Sequence, residues 1–400
     1  MNKVLLAFSG GLDTSYCARY LSVDQGMEVH SVVVDTGGFS NAELAHIAER
    51  AHACGVTSHT ALDRTRVLFD MVLRHCIAGN ILKNASYPLS VSAERVVQAI
   101  AIAEHARSIG ATHLAHGSTG AGNDQIRFDT IFRILAPQLP VLTPIRDSRL
   151  SRQEEIDYLR SNGVDGDWTK ARYSINQGLW GTTIGGRETL TSHEPLPEDA
   201  WPSHVFPVRE TSAHQILQIH FEKGLPTRLN GEALDPVTLL RRLNDIGSAW
   251  HVGRDMHVGD TILGIKGRVA FEAPAALMTI KAHHALEKHT LTKWQLNLKD
   301  QLALWYGQLL HEGQFLEPAM RSIEAFFDQT QQHVTGEVTL RLREGGFSVD
   351  GITSAHDLMR SSFATYGEEN LAWSGDDVKG FATIGSIATS IWHNVNGDQS

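Results

Sequence analysis

Apolar and polar positions along the first third of the chain follow two rhythms. Short apolar runs stand at Lys3–Phe8, Val29–Asp35, Val56–Ala61, Thr112–His116 and Val141–Leu142, each the length of a buried strand. Between them, Asp13 to about Asp24, Asn41–Cys54 and Ser92–Gly110 carry helical periodicity. Strands alternating with helices predict a parallel sheet with helices on both faces, whose ligands bind beyond the carboxyl ends of the strands. A capping box, Ser151-Arg-Gln-Glu154, opens a further helix running to Asn162-Gly163. There the rhythm stops, and a boundary is expected near Gly163–Asp167.

Beyond it the pattern is mixed. A turn-rich stretch from Ser174 to Pro207 precedes strands and helices, His283–Phe327 is strongly helical, and Glu337–Leu342 with Phe347–Val349 around Gly345-Gly346 reads as a hairpin. The expected fold class is α/β. Residues 1–165 form a parallel-sheet nucleotide-binding domain, and 166–400 a larger α+β domain with a helical C-terminal segment suited to packing or subunit contact. Four hundred residues is more than one core usually serves, which agrees with two domains.

Composition narrows the chemistry. A hydrophobic share of 42% supports sizeable cores. The 35 Lys+Arg against 45 Asp+Glu leave a net charge of -10, which argues against general nucleic-acid binding. No stretch is long and apolar enough for a signal peptide or a membrane span, so a cytoplasmic protein with no membrane partner is expected. Cys17, Cys54 and Cys76 are far apart and read as buried thiols. His283, His284 and His289 lack metal-site spacing and read as a packed or solvated helix face, so no metal site built from a protein cluster is expected.

Two strand ends carry glycine-rich turns. In the first, Ala7-Phe-Ser-Gly-Gly-Leu-Asp-Thr-Ser15, Gly10 and Gly11 let the backbone turn sharply as a helix begins. Free amides at that helix start favour an anion, and Ser9, Thr14 and Ser15 add hydroxyl donors. No Gly-Lys-Ser/Thr follows, so this is no Walker A loop. A cradle without that lysine suits pyrophosphate held as a leaving group. Asp13 beside phosphates fits a bridging Mg²⁺, or else is simply a first-turn carboxylate favoured by the helix dipole. The second turn, His116-Gly-Ser-Thr-Gly-Ala-Gly-Asn-Asp-Gln-Ile-Arg127, brings Asn123 and Arg127 to one helix face. Arg127 there wants an anion, which a substrate carboxylate or a surface acid, Asp124 or Asp129, would supply equally well.

The S-G-G-x-D-[ST]-[ST] pattern resembles the PP-loop of ATP pyrophosphatases. Together with HGSTGAGNDQIRF, Tyr173-Ser-Ile-Asn-Gln-Gly-Leu-Trp-Gly181, SYPLSVSAER, FEKGLP, GIKGR and FEAP, it resembles the argininosuccinate synthase family over most of the chain. The resemblance implies an ATP-consuming ligase with Mg²⁺. Citrulline's ureido oxygen attacks the α-phosphorus to give citrullyl-AMP and pyrophosphate, and aspartate's amine then displaces AMP. It implies ATP contacts from Ala7, Phe8, Ser9, Gly10, Gly11, Leu12, Asp13, Thr14 and Ser15, with Val34 beside the adenine and Gly117 in the second loop. Thr119, Asn123 and Asp124 would meet aspartate, and Asp13 and Asp124 would carry the catalytic roles. Tyr87, Ser92, Asn123, Arg127, Ser174 and Thr183 would meet citrulline. Read alone, Tyr87 is a core aromatic and Ser92 a helix N-cap. Family likeness also implies a homotetramer.

The chain departs from the family where the citrulline pocket usually has a glutamate and, twelve residues later, a tyrosine. Gly259 and Phe271 stand there, with Asp260 as a stand-in after a small shift, and Asn176 and Thr183 replace an aspartate and a serine. Losing the carboxylate removes a charge-assisted contact to the α-ammonium worth roughly 1.5–3 kcal/mol. Free citrulline is the reading adopted, with an Nα-acylated citrulline as the alternative. A tRNA-thiolating enzyme would need reactive cysteines and a basic surface. A non-catalytic nucleotide sensor would not need Asn123 and Arg127.

Overall fold

A computed structural model describes residues 2–120, 122–148, 150–166, 168, 173–364, 366–367 and 370–397. The first half is built as the apolar runs require. Strands β1 (Lys3–Ala7), β2 (Glu28–Asp35), β3 (Ser58–Asp63), β4 (His113–Ala115) and β5 (Val141–Leu142) form one sheet in the order β3-β2-β1-β4-β5, every pairing parallel. Helices α1 (Leu12–Val23) and α2 (Asn41–Ala53) follow the first two strands. The chain then makes α3 (Thr65–Leu68), a π-helical turn at Phe69–Leu73 and α4 (Arg74–Ala78) before the long α5 (Ser90–Ser108). Helices α6 (Asp124–Leu135), α7 (Pro144–Ser148) and α8 (Arg152–Ser161) complete this half, the last opened by the expected Ser151/Glu154 capping box.

Successive β1 side chains point to opposite faces. Val4 and Leu6 pack with Leu12, Cys17, Ile47 and Leu159 on one side, while Leu5 packs with Val96 and Phe69 on the other. That second core continues without a break into the rest of the molecule, through Trp180, Phe271, Tyr306 and Phe327.

The second half holds two antiparallel sheets. Strands β6 (Ser174–Asn176), β7 (Thr182–Gly185), β11 (Arg254–Asp260) and β12 (Lys266–Glu272) form one, in the order β11-β12-β7-β6. Strands β8 (Gln215–Glu222), β9 (Leu225–Leu229), β10 (Glu232–Ala233), β13 (Gly336–Arg343) and β14 (Gly346–Thr353) form the other, in the order β10-β9-β8-β13-β14. Helices α9 (Pro236–Ser248), α10 (Pro274–Thr290), α11 (Lys293–His311) and α12 (Pro318–Thr330) pack among them, and α13 (Gly375–Asn396) ends the described chain. The expected boundary at Gly163–Asp167 ends on a residue outside those described. The fold is α/β, a parallel five-stranded sheet with helices followed by antiparallel sheets and helices.

Three expectations shift. Strand β3 starts at Ser58 rather than Val56, because Gly55 at φ +87° and the Val56 amide on Ala51 O still belong to the end of α2. Helix α5 starts at Ser90 after Leu89 at φ +58°, with no side-chain cap, so Ser92 is not its N-cap. The helical segment 65–78 was not expected. Its buried Leu68, Phe69, Val72, Leu73, Cys76 and Ile77 cover the sheet on the α5 side. The three cysteines are buried and free. His283 is a packed residue, hydrogen bonded to Asn80 Oδ1 (2.7 Å) and Gln331 Oε1 (2.8 Å).

Candidate active site

The first glycine turn leaves β1 at Ala7 and enters α1 at Leu12. Gly10 takes φ +76°, which glycine adopts without strain, and a β-carbon there would crowd Ile47 Cγ1 at 3.1 Å. The first intrahelical bond is Ser15 N to Gly11 O (3.0 Å), and no side chain caps the helix. The Leu12 and Thr14 amides take no intrahelical bond and remain available to an anion, with the helix dipole behind them, while the Asp13 amide meets its own carboxylate. Thr14 Oγ1 lies 3.4 Å from the exposed Ser9 Oγ, placing two hydroxyls on the same turn. Ser15 differs from the expectation. It is fully buried with its hydroxyl toward the Cys54 thiol, and its amide is already bonded, so it closes the turn without adding a donor.

Asp13 faces Glu155 of α8 within hydrogen-bonding reach, a partner that the sequence reading missed. Burial pushes the Asp13 carboxyl up. Burial and the neighbouring Asp13 push Glu155 up to about 8. Glu155 Oε2 is buried with no hydrogen-bond partner. Two carboxylates beside the open start of α1 would suit a Mg²⁺ whose remaining ligands come from phosphate oxygens. Among the described residues no cluster of three or more such ligands exists, so phosphates would have to complete the shell. Val34 is buried in the core on the α5 side, and its carbonyl accepts from Gln98 Nε2 (3.3 Å).

The second turn folds directly against the first. A β-carbon at Gly117 would lie 3.2 Å from Thr14 N. His116 braces this turn, bonded to the Ser118 amide (3.2 Å) and to Asp129 (3.0 Å), which Arg146 also holds (2.8 Å). Thr119 is exposed on the loop, and Asn123 Oδ1 accepts the Ile262 amide (2.9 Å) from the β11–β12 turn.

At the start of α6, Asp124 sits between two guanidiniums, Arg95 Nε at 2.8 Å and Arg127 NH1 at 2.9 Å. Burial works to raise its carboxyl, and the two arginines outweigh that and hold it below the usual range. The open question about Arg127 resolves toward Asp124. Asp129 is taken by His116 and Arg146, while Arg127 Nε donates to His311 O (3.0 Å). Arg95 also donates to Asn176 Oδ1 (2.6 Å). Since Asn176 is neutral, two guanidiniums face one fixed carboxylate, and the cluster keeps a spare positive charge for a ligand.

The inner face of the four-stranded sheet closes this space. Register places Asn176 opposite Thr183 and Thr183 opposite Phe271, so all three share a face. Ser174 lies one alternation before Asn176 on that face and is exposed. Phe271 packs on Tyr87 with ring centroids 5.3 Å apart. Tyr87 is buried and its hydroxyl takes the Val91 amide (3.3 Å), while Ser92 is 1% exposed below it. Gly259 is buried on β11, the strand paired with that of Phe271. Asp260 cannot stand in for it, being exposed and paired with Lys266 (2.7 Å). The structure thus brings together the two loops, Asn123, Asp124, Arg127, Tyr87 and Thr183. It adds Arg95 and Glu155, and turns Ser15 away. Arg95 was findable, one helical turn after Ser92, whereas nothing local marks Glu155.

A parallel sheet with an uncapped Ser-Gly-Gly turn, a second glycine turn against it and a buried cationic cluster defines an ATP-dependent ligase built on a HUP-type nucleotide-binding domain. Residues 3–165 match the Arginosuccinate synthase N-terminal HUP domain, and residues 173–392 the Arginosuccinate synthase C-terminal domain. Argininosuccinate synthase of Rubrobacter xylanophilus is 38% identical over 400 residues, all of this chain and 97% of that protein. Those of Methanocaldococcus jannaschii (36%, 92% of each chain) and Dictyoglomus turgidum (35%, 96% of this chain and 95% of that protein) are similar throughout. The chain belongs to the argininosuccinate synthase family.

Proposed function

We propose that the protein joins L-citrulline and L-aspartate at the expense of ATP, releasing pyrophosphate and AMP and giving argininosuccinate. The observation that carries this reading is the junction of the open start of α1, where the Leu12 and Thr14 amides take no intrahelical bond, with the Arg95–Asp124–Arg127 cluster across the second glycine turn. A ureido carbon is resonance-stabilised and resists attack until its oxygen becomes a leaving group. Adenylation does this, and the protein's task is to position the groups and neutralise charge.

The α1 amides with Ser9 and Thr14 hydroxyls receive the departing diphosphate. Asp13 and Glu155 are the side chains that would hold Mg²⁺, which when bound offsets the phosphate charge. Tyr87, Ser92, Asn123, Arg127, Ser174 and Thr183 form the citrulline side. Thr119, Asn123 and Asp124 form the aspartate side, where the Asp124 carboxylate orients the incoming amine. Residues 1–165 and 166–400 act as the ATP-binding and synthetase parts, with the substrates between them.

The working form is read as a cytoplasmic homotetramer. Its support is the apolar surface of α13, where Phe381 is 82% and Ile384 73% exposed, and of α11, where Trp294 is 71% exposed. Isolated chains rarely leave such faces to water. No helix among the described residues is long and apolar enough to cross a membrane.

Pyrophosphate release tests the reading. Release requires ATP and citrulline, mass spectrometry finds argininosuccinate only when aspartate is added, and Asp13→Ala abolishes both. Release that is indifferent to citrulline would overturn it.

A further inference from the structure

The citrulline side of the site has an end remote from the phosphate loop, and a chain of contacts leads there. Gly117 abuts Thr14, the second turn leads to Asp124, Asp124 holds Arg127, and Arg127 holds His311. His311 Nε2 in turn lies 3.2 Å from the Asp260 carbonyl, next to Gly259. If the ureide end of the substrate sits at the loop, its amino-acid end lies here.

Two carboxylates stand nearby on β11 and neither faces inward freely. Asp260 is exposed and paired with Lys266, and Asp255 is exposed with its Oδ1 on the Met256 amide (2.7 Å). What does face inward is His257, on the same side of the strand as Gly259. It is 6% exposed, and its ring lies against Tyr87 with centroids 5.2 Å apart. A β-carbon at Gly259 would stand 2.6 Å from His257 Nε2, so the imidazole occupies the room that a side chain at 259 would need. Its other nitrogen, Nδ1, is buried and has no hydrogen-bond partner. A buried polar atom left without a partner is costly, and a ligand is one thing that can complete it.

We propose that His257 is the side chain that binds the α-amino end of the citrulline substrate, taking the place of the carboxylate that Gly259 lacks. The assignment rests on the citrulline reading above. The neutral ring accepts a hydrogen bond from the α-nitrogen, and burial together with Lys83 favours the neutral form. Tyr87, itself packed on Phe271, lies against the ring, and Gly259 leaves it space. Because the acceptor is uncharged, the contact is weaker than a carboxylate's, and position rather than charge does the selecting.

The test compares citrulline with 5-ureidopentanoate, which is citrulline without its α-amine. Wild type, His257→Phe and His257→Asn are assayed by pyrophosphate release, with 5-ureidopentanoate read as KM or as a Ki against citrulline. His257→Phe should raise the KM for citrulline about tenfold, with kcat and the KM for ATP little changed. The constant for 5-ureidopentanoate should stay within about twofold of wild type on the same reasoning. His257→Asn, which keeps an acceptor, should recover part of the loss. Equal losses with both ureides, or none with citrulline, would overturn the role given to His257 alone. Failure of wild type to release pyrophosphate with either ureide would remove the citrulline reading and this assignment together.

Discussion

Single residues carry the electrostatics of this protein, and Glu94 shows what burial does to one of them. It is 2% exposed, lies against the Gly178 backbone, and has an oxygen without a partner. Burial pushes its carboxyl from 4.5 up to about 8, against the pull of Arg95. In the unfolded chain the proton leaves near the ordinary value. Between the two values the native state therefore binds more protons, and stability falls as pH rises, levelling off above about 8. Glu94→Gln keeps the shape without the charge. It should match wild type in urea midpoint near pH 4 and exceed it near pH 8, and a midpoint difference independent of pH would contradict the account. Sequence could not have supplied this, because a glutamate inside a helical run reads as a solvated face. The same limit hid Glu155, which acts only through its meeting with Asp13.

Elements proved more legible than their partnerships. The strand–turn–helix at Ala7–Ser15 and the α8 capping box follow from local chemistry, and both stand where the residues put them. Strand β3 and helix α5 moved by two residues, because a left-handed residue beside each, Gly55 and Leu89, sets the boundary. The 65–78 segment carries helical spacing in Leu68, Val72 and Cys76, although a π turn interrupts it. What no periodicity reveals is that the β11–β12 turn reaches Asn123, or that α8 lies against the first loop.

Gly10→Ala places a β-carbon at φ +76° and 3.1 Å from Ile47, a left-handed strain of about 1–2 kcal/mol. The loop should shift at its phosphate-facing amides while the sheet persists. The KM for ATP should then rise about five- to thirtyfold, the equivalent of that strain, with an unchanged circular dichroism spectrum. An unaltered KM for ATP would show that the turn is not where the phosphates rest.

For the whole molecule, the two halves share one core, and a buried ion pair of the second half is anchored on the first. Lys299 Nζ of α11 reaches Glu287 Oε2 (3.0 Å) and the Ala78 carbonyl at the end of α4 (3.0 Å), with both charged side chains fully buried. Asn80 and Gln331 complete the Glu287 carboxylate. Lys299→Met would leave that carboxylate buried without its counter-charge, at a cost of about 3–5 kcal/mol. Denaturant unfolding should show the loss as one transition with an unchanged slope, and a loss below about 1 kcal/mol would mean the pair is dispensable. The fold class and both glycine turns were readable from the chain, since they depend on neighbours in sequence. The way in which the second half covers the first was not, since it depends on contacts such as Lys299 with Ala78.

In the proposed reaction a ureide oxygen attacks the α-phosphorus of ATP while the α1 amides hold the departing diphosphate. Citrulline labelled with ¹⁸O at the ureido position reports on that attack, through mass spectrometry of the AMP formed in the presence of aspartate. The heavy oxygen should appear in the AMP phosphate in every turnover. AMP without the label, with the heavy oxygen still on the ureide or lost to water, would contradict it.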